Sequence, residues 1–137
     1  FVREIVRPAL ARGEMVVADR FSLSTLAYQG HGRRLDLAEV RRLDAFARGG
    51  LEPDLTLLLD LPLEEGIRRQ QAAGKKSDRI ERASRAFHDR VAAGYRALAQ
   101  AGGDRIRVVD ARSTPEAVHE QVRAVLRERF PGTFTPA

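Results

Sequence analysis

Residues 18–33 read ADRFSLSTLAYQGHGR, directly after the apolar run MVVA at 15–18. An acid and a base stand side by side there as Asp19-Arg20, followed by Ser22, Ser24, Thr25, Tyr28 and Gln29. A carboxylate in this position can hold the hydration shell of Mg²⁺, or orient a neighbouring arginine or a substrate hydroxyl. Mg²⁺ is commonly bound by one or two carboxylates together with substrate phosphates. Arg20 offers a planar fork suited to phosphate oxygens. Ser24, Thr25 and Gln29 can donate to and accept from the edge of a heterocycle, and Tyr28 can supply a face. Together these groups point to a phosphorylated ligand that carries a base.

A second basic group lies in RRQQAAGKKSDRIE, residues 68–81. Arg68, Arg69, Lys75, Lys76 and Arg79 bracket a loop of small residues. Two readings stay open on spacing alone. One is a solvated connection between helices. The other is a lid that brings positive charge onto transferring phosphates and excludes water as it closes. His31, His88 and His119 do not group at metal-ligand spacing, and no chemistry is assigned to them.

The elements that must position these groups follow from periodicity and punctuation. Val2, Ile5, Val6, Ala9 and Leu10 fall at helical spacing, with a bend or a break expected at Pro8 and a stop at Gly13. Met15–Asp19 is expected as a strand and residues 20–34 as a loop with at most one helical turn. A helix is expected over 35–50, with Asp36 as its N-cap and Gly49-Gly50 as its stop. Leu37, Val40, Leu43 and Phe46 would line one of its faces. LTLLLDL (55–61) is a continuous apolar run, expected as a strand covered on both faces. A short helix over 63–72, a mobile loop over 72–78 and a long helix from Arg79 to Ala101 follow. The long helix carries Phe87, Val91, Tyr95 and Leu98 in one stripe. RIRVVDA (105–111) is a further strand. Thr114-Pro115 starts a last helix running to about Arg129, and the tail over 130–137 is expected to be loose.

Strands alternating with helical crossovers imply a parallel α/β architecture. In such sheets ligands bind beyond the carboxyl ends of the strands. All three expected strands end in an acid. Asp60 and Asp110 are read as turn or cap residues, whereas Asp19, followed at once by Arg20, is read as functional.

Composition sets the outer bounds. The chain has 137 residues, 43% hydrophobic and 31% charged, which suits one globular domain. It has no cysteine, so disulfides and thiolate metal sites are excluded. A net charge of +5 favours anionic partners. No apolar stretch approaches the ~18 residues that would span a bilayer, and a cytoplasmic location is expected by default. A nucleic-acid binder would need base-stacking aromatics on a basic face, and aromatics make up only 6%. A purely structural domain would need only about two to six residues where the polar stretch 20–30 stands.

Several of these segments resemble the thymidylate kinase family, bacterial type. DRFSLSTLAYQG is similar to the family's signature segment. PDLTLLLDLPLEEGIRR resembles the strand and helix that follow it. SDRIE with FHDRVAAGYRALA resembles the lid end and the next helix, and VDARSTPEAV resembles the last strand and the loop near adenine. RPALARGEMVVADR fits the lead-in. The resemblance implies a P-loop NTPase-like parallel sheet with helices on both faces, and transfer of the γ-phosphoryl group of ATP to dTMP with Mg²⁺. By matching position, Asp19 looks like the acid near the metal and the acceptor phosphate. Arg20 looks like the arginine that contacts both phosphates. Ser24, Tyr28 and Gln29 look like members of the dTMP pocket. Arg69, Lys75, Lys76 and Arg79 are candidates for the lid cation. Which of them acts stays open, and Arg79 joins Asp19 and Arg20 in the catalytic set. Ala111 and Arg112 are expected beside adenine, largely through backbone. The lid departs from the family pattern at residues 70–74, Gln-Gln-Ala-Ala-Gly, where related lids often carry more arginines.

No G-x-x-x-x-G-K-[ST] occurs in the 137 residues. The chain is therefore expected to be the C-terminal part of one such domain, with a lid at about 70–80 and the P-loop strand absent. In the family sheet that strand lies between those matching 15–19 and 55–61, so these two are not expected to be neighbours. Alone, the chain is expected to be inactive. A homodimer is implied for the full-length protein, and a related nucleoside or nucleotide kinase with another acceptor is the alternative.

Overall fold

The computed structural model describes residues 1–74 and 84–134; Lys75, Lys76 and Arg79, with the far end of the expected lid and the expected start of the long helix, lie outside them. The chain divides into two units. The first comprises Phe1–Asp54 and Ser84–Leu98, and the second Leu55–Ala83 and Ala99–Ala137.

In the first unit the N-terminal helical pattern is realised in two pieces. A π-helical stretch, Val2–Val6, gives way to α1 (Arg7–Ala11) one residue before Pro8. Proline has no N–H to donate, so the change of winding where it sits has a direct cause. Gly13 then turns the chain at φ 76°. Met15–Ala18 forms no strand. A strand exists only where its N–H and C=O groups find a neighbouring ladder, and among the described residues this segment has none. Val17 accordingly stands 88% exposed and Met15 54%.

The expected loop 20–34 is mostly helical. α2 (Ser22–Thr25) runs directly into a wide π-helical segment, Leu26–Gly32. Its signature is an i to i+5 bond, from the Arg33 N–H to the Tyr28 carbonyl, at 3.0 Å. Ala27 is fully buried in a core with Val91 and Leu98, flanked by Leu23, Leu26, Tyr28, Phe87 and Tyr95. This packing overrides the weak helix propensity of the serines and glycines. Gly32 is needed for the close approach: a Cβ there would lie 2.7 Å from Val91 Cγ2 and 2.8 Å from Phe87 Cε2.

α3 (Leu37–Arg48) forms as expected. Asp36 caps it by accepting from the Glu39 N–H at 2.9 Å, and Gly49 ends it in the left-handed region at φ 58°. Arg7 donates to the Gly49 carbonyl at 2.6 Å and ties α1 to that end. The expected apolar face is only partly used. Val40 is buried, whereas Leu43 is 68% and Phe46 86% exposed.

In the second unit β1 (Thr56–Asp60) and β2 (Ile106–Asp110) pair in parallel, Thr56 beside Ile106 through Asp60 beside Asp110. Parallel pairing is as expected. Cover on both faces is incomplete, since Leu59 is 54% and Val108 55% exposed. β1 leads to α4 (Leu63–Ala72), and β2 to α6 (Pro115–Arg129), which packs against it. Thr114 caps α6 by accepting from the Ala117 N–H at 3.3 Å, with Pro115 in the first turn. α5 (Arg85–Gly102) carries the predicted stripe into the core of the first unit, then a 3₁₀ turn, Gly103–Arg105, leads into β2. After Phe130 the tail turns back with a Phe130–Phe134 ring contact at 6.3 Å.

Candidate functional site

Arg20, Ser24 and Tyr28, singled out by residue type, come together in the first unit. The helix Ser22–Thr25 and its π-helical continuation set Ser24 and Tyr28 one turn apart, on the side facing α5. The Arg20 guanidinium carbon lies 5.6 Å from the centre of the Tyr28 ring, within the range of a cation–π contact. Tyr28 meets Phe87 at 6.0 Å and, edge-on, Tyr95 at 6.3 Å. The Ser24 and Tyr95 hydroxyls share a hydrogen bond of 2.8 Å. Burial raises the Tyr95 phenol above its ordinary value, opposed by the bond from Ser24, so it stays a neutral partner. Arg20 has φ 68°, in the left-handed region that a non-glycine residue rarely adopts.

Gln29 is half-buried and Asp19 exposed. Among the described residues neither makes a side-chain hydrogen bond or ion pair. No group of three or more potential metal ligands gathers among the described residues. A single accessible carboxylate such as Asp19 fits a cation whose remaining ligands are water and substrate phosphate.

Asp44, Arg48 and Glu52, which residue type did not single out, complete this region around Ser22. Asp44 accepts through Oδ2 from Ser22 Oγ at 2.5 Å and from Arg48 Nε at 2.7 Å. Arg48 also donates to the Leu51 carbonyl and pairs with Glu52 at 2.9 Å. Burial works against the Arg48 cation, but its bonds to Asp44 and Glu52 outweigh that and hold it protonated. The i to i+4 spacing of Asp44 and Arg48 is a legible signal; that the pair would be buried is not. A cleft of about 420 Å³ opens here, lined by Arg20, Ser22, Ser24, Asp44 and Arg48 among others.

The other sequence-predicted residues meet at the strand ends of the second unit. Arg69, on α4, donates through Nη1 to the Ala111 carbonyl and through Nη2 to the Arg112 carbonyl, both at 2.9 Å. Its Nε donates to Glu65 at 2.7 Å. Arg69 and then Arg68 hold the Glu65 carboxyl below its ordinary range. Arg112 forks onto Asp110, with Nη2 donating at 2.6 Å and its own N–H at 3.0 Å. These bonds lower the Asp110 carboxyl to about 2. The Ala111 and Arg112 carbonyls, at the positions expected beside adenine, are engaged here by Arg69. Asp110, the last residue of β2, accepts from the Arg112 N–H, the bond of a turn residue. The remaining lid candidates, Lys75, Lys76 and Arg79, lie outside the described residues.

An α/β fold with a small parallel sheet and six helices among the described residues is consistent with the P-loop kinase class. A sequence model of the thymidylate kinase family matches residues 1–122. The chain is 48% identical over 131 residues to the thymidylate kinase of Desulfovibrio desulfuricans, covering 91% of this chain and 60% of that protein. It is 52% identical over 123 residues to the thymidylate kinase of Gloeobacter violaceus, covering 89% of this chain and 58% of that protein. With the thymidylate kinase of Synechococcus sp. it shares 47% over 130 residues, or 95% of this chain and 61% of that one. The chain belongs to the thymidylate kinase family. It spans about 60% of the length of these curated relatives.

Proposed function

We propose that these residues belong to an enzyme that transfers the γ-phosphoryl group of ATP to dTMP, giving dTDP and ADP. The observation that carries this reading is the family match over residues 1–122, which takes in the Arg20, Ser24 and Tyr28 cluster. An oxygen of the dTMP phosphate attacks the γ-phosphorus, and the bond to the β,γ-bridging oxygen breaks as ADP leaves. The acceptor is already anionic near neutral pH, so no general base is required. Catalysis of this kind rests on positioning and charge stabilisation.

Arg20 spans the acceptor and transferring phosphates with its fork, and Ser24, Tyr28 and Gln29 belong to the acceptor pocket. Mg²⁺, when bound, neutralises charge developing on the phosphates, and Asp19 would hold its hydration shell. Ala111 and Arg112 border the adenine, and the lid cation comes from Arg69, Lys75, Lys76 or Arg79. The 137 residues contain no G-x-x-x-x-G-K-[ST], so alone they are expected to be inactive. A cytoplasmic homodimer belongs to the same reading; the exposed Leu43 and Phe46 on α3 support an apolar contact face.

The test is an ATP-dependent phosphorylation assay on the complete gene product, with dTMP and a panel of other nucleoside monophosphates. Turnover of dTMP is expected, and Arg20→Ala should lower kcat by about a hundredfold to a thousandfold. Activity confined to another acceptor would replace dTMP as substrate. Activity with no acceptor would overturn the reading.

A further inference from the structure

We propose that Ser22, Asp44 and Arg48 are positioning residues that lock the Arg20–Tyr28 segment into its acceptor-binding shape. This deepens the dTMP kinase reading and rests on it.

Arg20 sits at φ 68°. A non-glycine residue stays there only where its surroundings over-determine the conformation. Two residues on, Ser22 begins α2, and its hydroxyl is fastened to Asp44 at 2.5 Å. Asp44 is held in turn: the oxygen that takes the serine also takes Arg48 Nε at 2.7 Å. The Asp44 and Arg48 side chains are only 8% and 9% exposed. A buried ion pair is a poor source of net stability but can specify one arrangement over others. α3, which carries both residues, is capped by Asp36 and stopped by Gly49, so it is a firm mount. The path runs from α3 through Asp44 to Ser22. From there α2 sets the angle at which Ser24 reaches Tyr95 and Arg20 covers Tyr28. On the other side, Phe21 meets Phe1 at 6.5 Å. Breaking the Ser22 bond leaves the Asp44–Arg48 pair intact while releasing the start of α2.

The experiment uses the complete gene product with Ser22→Ala, Ser22→Thr and Asp44→Asn. Ser22→Ala is expected to raise KM for dTMP about tenfold, the size of one lost bond to a charged acceptor. KM for ATP should stay within about twofold, and the melting temperature should fall by no more than a few degrees with a cooperative transition retained. Ser22→Thr should restore the dTMP value. Ser22→Ala added to Asp44→Asn should cost less than the two separately, as coupled sites do. Equal shifts in both KM values, or a lowered melting temperature with no split between them, would mean a general structural role and overturn the proposal. A substrate-independent readout separates this from the functional reading: the ring resonances of Tyr28 and Tyr95, with ring-labelled tyrosine. Should the wild-type protein fail to phosphorylate dTMP, the functional reading falls and the resonances decide alone. Moved by Ser22→Ala in a protein that still melts cooperatively, they uphold the positioning; unmoved, they overturn it.

Discussion

Arg48 meets Asp44 at 2.7 Å with their side chains 9% and 8% exposed; Arg112 meets Asp110 at 2.6 Å with 69% and 44% exposed. Near-equal distances therefore carry different energies. In the first region both charged side chains are largely withdrawn from water, each charge depends on its partner, and a third group, Ser22, is drawn into the arrangement. In the second region water and salt screen the pair, and neither charge is stranded if the other goes. Arg69 does its work there through backbone, by holding two carbonyls of the loop after β2. The lesson is that bond length alone does not identify which ion pair a fold depends on; burial does.

The contrast can be broken most directly at Asp44. Asp44→Ala leaves Arg48 buried with only the solvent-facing Glu52 as a charged partner, and should lower the unfolding free energy by about 3–5 kcal/mol. Denaturant titration checks this, and a loss below about 1 kcal/mol would erase the distinction between the two regions. A smaller effect separates charge from packing within the first region. Gly32→Ala should cost about 1–3 kcal/mol by overpacking, because its Cβ would press on Val91 and Phe87. Gly132→Ala, with nothing within 4 Å of the new Cβ, is the neutral control in the same titration.

The smallest effect sharpens the comparison from the exposed side. Asp110 has its carboxyl lowered from 3.8 to about 2 by Arg112. As pH falls, the unfolded chain takes up this proton before the folded one. The contribution is therefore present above 3.8 and lost as pH drops toward about 2. Arg112→Ala should leave stability at neutral pH nearly unchanged and flatten that part of the acid limb. High salt should flatten it in the wild type too. Acid-limb melting curves at low and high salt, for both proteins, read this out.

Much of the fold was legible because its causes are local. Asp36 and Gly49 bound α3, and Thr114-Pro115 opens α6, since a cap bonds within its own turn. The apolar runs in β1 and β2 declared strands, and their helical crossovers declared them parallel. Arg20, Ser24 and Tyr28 were legible as a candidate group because their types crowd one short segment, and the fold brings them together.

The rest was decided between distant residues. Met15–Asp19 has the composition of a strand, but a ladder needs a second strand, and composition does not supply one. Ser22–Gly32 has the composition of a loop, yet Ala27, Val91 and Leu98 bury one another and wind it into helix. Leu43 and Phe46 fit the apolar stripe of α3 and still face outward, because periodicity places side chains on a face without providing a neighbour to cover it. Ser22, Asp44 and Arg48 are ordinary polar residues in the linear sequence. Burial, which exists only once the chain has folded, makes them dependent on each other.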